Sequence, residues 1–120
     1  MRIMKKNVIK EKSYAFAIRV VRMYQTIVER DKEYVLSKQC LRSGTAIGAL
    51  VAESEHAQSK ADFICKNSIA LKEANETLFW LDLLKDTGYL SDTEHNSLYQ
   101  DADELVKILV SILKTSKNKK

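Results

Sequence analysis

Arg42-Ser43-Gly44-Thr45-Ala46-Ile47-Gly48-Ala49 is the stretch that decides the fold. It reads as helix interior, yet it holds two of the only three glycines in a 120-residue chain that has no proline. Each glycine costs about 1 kcal/mol in a helix interior relative to alanine. Residues four apart share one helix face, so Gly44 and Gly48 open a strip on which another backbone can settle closely. Tight helix–helix contact is the natural compensation, and an all-α fold is the expectation.

Outward from the strip, a helix spans about 34–56, with Leu36, Ser43, Ile47, Leu50, Val51 and Ser54 on its inner face. Before it, Phe16, Val20, Met23, Tyr24 and Ile27 recur at helical spacing over 13–31, with Ser13 as N-cap. Ile18, Val21 and Val28 fall off that stripe and suggest a second apolar contact. The joint Arg30-Asp31-Lys32-Glu33 is short and fully charged, so the two helices run antiparallel. Ser59 and Asp62 resemble a capping box, and a third helix follows to Thr87, stopped by Gly88. Its stripe is Phe63, Asn67, Ala70, Leu71, Ala74, Thr77, Leu78, Leu81 and Leu84. Ser91 and Glu94 box the start of a fourth helix carrying Leu98, Ala102, Leu105, Ile108, Leu109 and Ile112. No strand pattern occurs. The expected fold is an antiparallel up-down-up-down four-helix bundle over 13–113.

Charge is unevenly spread. Residues 1–12 hold five basic side chains and one acid, and 114–120 hold four lysines and no acid, while 13–113 hold eleven basic and fifteen acidic residues. The expectation is an acidic body with a basic N-terminal arm (1–12) and a basic, disordered tail (114–120). Arg2, Lys5, Lys6, Lys10, Lys12, Lys114, Lys117, Lys119 and Lys120 are the candidate contacts to a phosphate backbone. The longest apolar run, 46–52, is far short of the roughly 20 residues of a membrane span, and the basic N-terminus lacks a signal-peptide core. A cytoplasmic protein is expected. Cys40 and Cys65 lack metal-ligand spacing and read as small buried hydrophobes in a reducing compartment.

Gln39, Arg42, Ser43, Glu53, Glu73 and Glu76 lie on or beside inner faces and form a candidate buried polar network, with Arg42 as the partner of the acids. A di-metal site would need ligands converging at one height. Glu53-x-x-His56 closes one helix and Asp92-x-x-His95 opens another, at opposite poles, so no metal or other cofactor is expected. There is no nucleophile elbow, phosphate loop or mid-helix histidine, and no enzyme activity is expected.

Three groups of residues together carry a family resemblance. They are Ser13-Tyr14-Ala15-Phe16-Ala17; Gln39-x-x-Arg42-Ser43-Gly44-x-x-Ile47-Gly48-Ala49-x-x-Ala52-Glu53; and Asp62-Phe63-Ile64 with Ala70-Leu71-x-Glu73-Ala74-x-Glu76-Thr77 and Phe79-Trp80-Leu81. In this order they resemble the bundle proteins encoded in 23S ribosomal-RNA intervening sequences, over about 8–113. That family is similar to the accessory variability protein of diversity-generating retroelements. Ala46 and Leu50 are more apolar than the Ser and Asn often found there. The resemblance implies a left-handed bundle assembling as a ring, typically a homopentamer. It also points to RNA or DNA binding of low sequence specificity, since the retroelement relative binds nucleic acid and a reverse transcriptase. The expected role is a non-enzymatic, self-assembling accessory protein of RNA or nucleoprotein. A scaffold for a polymerase-like protein partner is the alternative, and a small-ligand site at Arg42, Glu53, Glu73 and Glu76 ranks last.

Overall fold

In the computed structural model, the backbone of residues 2–118 and the side chains of residues 8–118 are described. Four helices follow in order: α1 (Arg2–Asp31), α2 (Leu36–Ser54), α3 (Lys60–Asp86) and α4 (Asp92–Asn118). No strand occurs among the described residues. Each helix packs on its sequence neighbours, and α4 returns to α1, while the diagonal pairs stay apart. The result is an all-α, up-down-up-down bundle with extents of 50 × 22 × 20 Å.

The glycine strip faces α1. A Cβ on Gly44 would sit 2.9 and 3.0 Å from the two γ-carbons of Val20, and one on Gly48 would sit 3.3 Å from the Ser13 carbonyl oxygen. The stripes read from the sequence supply the core: Phe16, Val20, Ile27, Ile47, Leu81, Leu84, Leu105 and Leu109 are all fully buried.

The joints show why the helices stop. Lys32 takes a left-handed conformation at φ 57°. Glu33 then folds over the open start of α2: its carboxylate accepts from the amides of Val35, Leu36 and Ser37 at 2.7–2.9 Å. Its own carbonyl accepts from the Ser37 hydroxyl at 2.6 Å. Burial alone would raise the Glu33 pKa, but these hydrogen bonds outweigh it and hold the carboxyl below its usual range. Ser59 caps α3 by accepting from Asp62 N at 3.0 Å, while the Asp62 carboxylate accepts from Gln58 N. Gly88, at φ 89°, lies just past the end of α3 and turns the chain toward α4. Ser91 and Glu94 satisfy each other's amides at 3.1 and 2.8 Å, a complete capping box.

Three expectations are corrected. Ser13 is not an N-cap: α1 is already helical from Arg2, and Ser13 is buried mid-helix with its hydroxyl donating to Lys10 O at 3.2 Å. Nothing in residues 2–12 breaks a helix, and Ile9 gives that segment a core contact. The segment 114–118 is not disordered but continues α4 to Asn118, with Leu113 buried just before it. Cys65 is exposed, because it lies two residues, about 200° of helix, from the buried Asn67. Cys40 is buried as expected, and burial pushes its thiol pKa up to about 12.

Candidate functional site

Antiparallel packing brings the start of α1 and the end of α4 to the same end of the bundle. Ile9 of α1, Val51 and Ser54 of α2, Phe63 and Asn67 of α3, and Ile112 of α4 surround one cavity, so the start of α1 and the end of α4 share a pole. The described parts of the two basic segments, residues 8–12 and 114–118, thus lie toward one end of the bundle. Lys10 and Lys12 are exposed there, each in an ion pair, with Glu55 at 3.4 Å and Glu104 at 3.1 Å. Exposed pairs of this kind are worth only about 0.2–1 kcal/mol, so a phosphate can displace them. Lys114 and Lys117 stand exposed on the final turns of α4. The side chains of Arg2, Lys5 and Lys6, and residues Lys119 and Lys120, lie outside the described residues.

The expected polar network divides in two. Arg42 meets Glu73 at 3.2 Å and also binds Glu76, joining α2 to α3. Trp80 Nε1 donates to the same Glu76 carboxylate at 3.0 Å. The Trp80 hydrogen bond is the main reason Glu76 sits below the usual carboxylate range, and Arg42 adds to it against a burial cost. Arg42 itself is half-exposed, so the cluster is a clasp on the bundle surface rather than a buried site. Ser43 is buried and separate: its hydroxyl accepts from Thr77 Oγ1 at 2.9 Å, tying α2 to α3 through the core. Gln39 is exposed, and Glu53 pairs with Lys66 at 3.4 Å on the outer edge of the same seam. Their helical phase, not their spacing along the chain, keeps them out of the network.

His56 is exposed beyond the end of α2. His95 pairs with Asp82 at 2.8 Å and its ring lies 5.1 Å from that of Tyr99. Among the described residues no group of three or more His, Cys, Asp or Glu side chains could hold a metal. No helix among them is long and apolar enough to cross a membrane.

Among the described residues, several large apolar side chains remain uncovered. Tyr14, Ile18 and Val21 recur along the outside of α1 and, with Ala17, Arg22 and Gln25, form a shallow groove. On the other half of the bundle Phe79 of α3 is 57% exposed, edge-on to Trp80 at 5.0 Å. Tyr34, Val35, Ile69 of α3 and Val110 of α4 are exposed elsewhere. The sequence places Ile18 and Val21 off the α1 core stripe, as found, while Trp80 is half-buried and bonded to Glu76. Tyr14 and Val110 were missed, and their signal was an apolar residue on the polar side of its helix.

A family model described as "23S rRNA-intervening sequence protein" matches residues 5–111. A solved structure from Bacteroides thetaiotaomicron, a protein of unknown function from the S23 ribosomal protein family, is 54% identical in sequence. The match covers 92% of this chain and 98% of that one, with a TM-score of 0.90. No curated protein matches the chain. With the family match running through all four helices, the chain belongs to the 23S rRNA-intervening sequence protein family.

Proposed function

We propose that this protein is a non-catalytic cytoplasmic bundle that assembles with copies of itself and presents its basic poles to the phosphate backbone of RNA or DNA. The observation that carries the reading is the convergence of residues 8–12 and 114–118 at one end of the bundle. Phosphate contacts from lysine are independent of sequence, so little base specificity follows. Assembly multiplies the contacts without any single tight site. The α1 groove around Tyr14, Ile18 and Val21 and the Phe79 surface lie on opposite halves of the bundle. A contact between two different patches is head-to-tail, which closes into a ring when the rotation permits. The homopentamer implied by the family resemblance is one such ring.

The test is binding of a structured RNA by fluorescence anisotropy over 50–300 mM KCl. Affinity should fall steeply with salt, and replacing Lys10, Lys12, Lys114 and Lys117 by Glu should lower it by at least about tenfold. A flat salt response, or full affinity in that variant, removes the basic pole from the reading. The exposed Phe79 supports a second reading, a scaffold for a protein partner. Partners that survive nuclease treatment in a pull-down favour the scaffold; partners lost with it favour nucleic acid.

A further inference from the structure

The cavity at the basic pole has a lining that selects a ligand. Its volume is about 140 Å³, and its walls come from all four helices. Ile9, Val51, Phe63 and Ile112 make it predominantly apolar, and Ser54 and Asn67 add polar atoms. Glu55, exposed and held by Lys10, stands at its edge. The space opens partly to solvent, and its size is close to the roughly 150 Å³ that admits a single aromatic ring.

Acceptors outnumber donors among its polar atoms. Asn67 is 1% exposed, and its Nδ2 donates to the Phe63 carbonyl at 2.9 Å. That carbonyl can only accept, so the amide orientation is fixed by chemistry. Among the described residues no protein group donates to Asn67 Oδ1, yet no buried side-chain oxygen or nitrogen is sealed off without a partner. Asn67 lines the cavity, and Oδ1 is the acceptor its side chain has to offer there. Ser54 likewise spends its proton on the Val51 carbonyl at 2.7 Å, which leaves only acceptor lone pairs. Asn67 keeps Oδ1 and one Nδ2 hydrogen, and Ser54 keeps only lone pairs, so acceptors outnumber donors in a small apolar space, which suits a ring that carries a single hydroxyl.

We propose that this cavity binds a small, monocyclic phenol or a similarly sized aromatic alcohol, its ring among Ile9, Val51, Phe63 and Ile112 and its hydroxyl donating to Asn67 Oδ1. The site is independent of the nucleic-acid reading. Nothing in it requires assembly or a phosphate ligand.

The test is a methyl NMR titration of the full chain with phenol and, separately, with benzene. Phenol should give saturable shifts confined to the methyls of Ile9, Val51 and Ile112, with a dissociation constant on the order of 0.1–1 mM. Benzene should bind about tenfold more weakly, because it leaves the acceptor unmet. Asn67→Leu should erase that preference. Val51→Met, which fills the space, should abolish binding of both while the bundle keeps its circular dichroism spectrum. If Asn67→Leu fails to fold, the phenol-over-benzene ratio in the wild type and the Val51→Met result still decide. Absence of saturable shifts with phenol up to about 20 mM overturns the site. Equal binding of phenol and benzene overturns the role of Asn67, and undiminished phenol binding by Val51→Met overturns the location.

Discussion

At the residue scale, packing is tightest at Gly44. The γ-carbons that a new Cβ would meet belong to Val20, a stiff side chain that is fully buried. Gly44→Ala gains about 1 kcal/mol of helix propensity, but overpacking a filled core costs about 1–3 kcal/mol. A net loss is expected, read as a lower Tm, and adding Val20→Ala should recover part of it by making room. Glu33 is the other decisive residue. Glu33→Ala should cost about 0.5–2 kcal/mol, the range for losing a helix cap. The folded-state pKa of Glu33 is depressed, so its contribution is present above the unfolded value of about 4.3 and is lost as pH falls through the folded value. The Tm gap between wild type and Glu33→Ala should therefore narrow in thermal melts taken below about pH 4. The two cysteines should behave differently: a thiol-reactive probe at pH 8 should label Cys65 and leave Cys40 untouched until the protein unfolds.

At the element scale, α1 is the helix whose sequence speaks for two surfaces. Its inner residues Phe16, Val20, Met23 and Ile27 are core, and their period was plain in the sequence. Its extension back to Arg2 was hidden, because the charged residues of 2–12 look like a tail until Ile9 finds a place in the bundle. A helix of mixed polarity forms when its neighbours offer a site for even one apolar residue per few turns. The same holds for the end of α4, anchored by Leu113. The α4 start, by contrast, is local chemistry: Ser91→Ala together with Glu94→Ala should lower stability by about 1–2 kcal/mol in urea unfolding, with an unchanged m-value.

At the scale of the whole molecule, the uncovered apolar surfaces set the expectation. Phe79→Glu and Tyr14→Glu change exposed side chains on opposite halves of the bundle. Each should leave the circular dichroism spectrum and Tm nearly unchanged, because exposed positions rarely matter to folding. Each should also reduce the assembled mass seen by light scattering, if the two surfaces meet between copies. Unchanged mass in both variants would remove these surfaces from the assembly proposal.

Helical period, capping residues and the paired glycines settled the all-α bundle from the sequence, since these signals act within a few residues of each other. Ser59, Gly88, Ser91 and Glu94 all act in their own turns. Gly44 and Gly48 announced a close neighbour without saying which; only packing shows that it is α1. Tertiary structure alone decided that the Arg42 clasp excludes Gln39 and Glu53, and that the start of α1 and the end of α4 meet. Those outcomes depend on the rotational phase of each helix against its neighbours and on the reversal of direction at each joint. Such long-range geometry is fixed by the sum of all core contacts, not by any short run of residues.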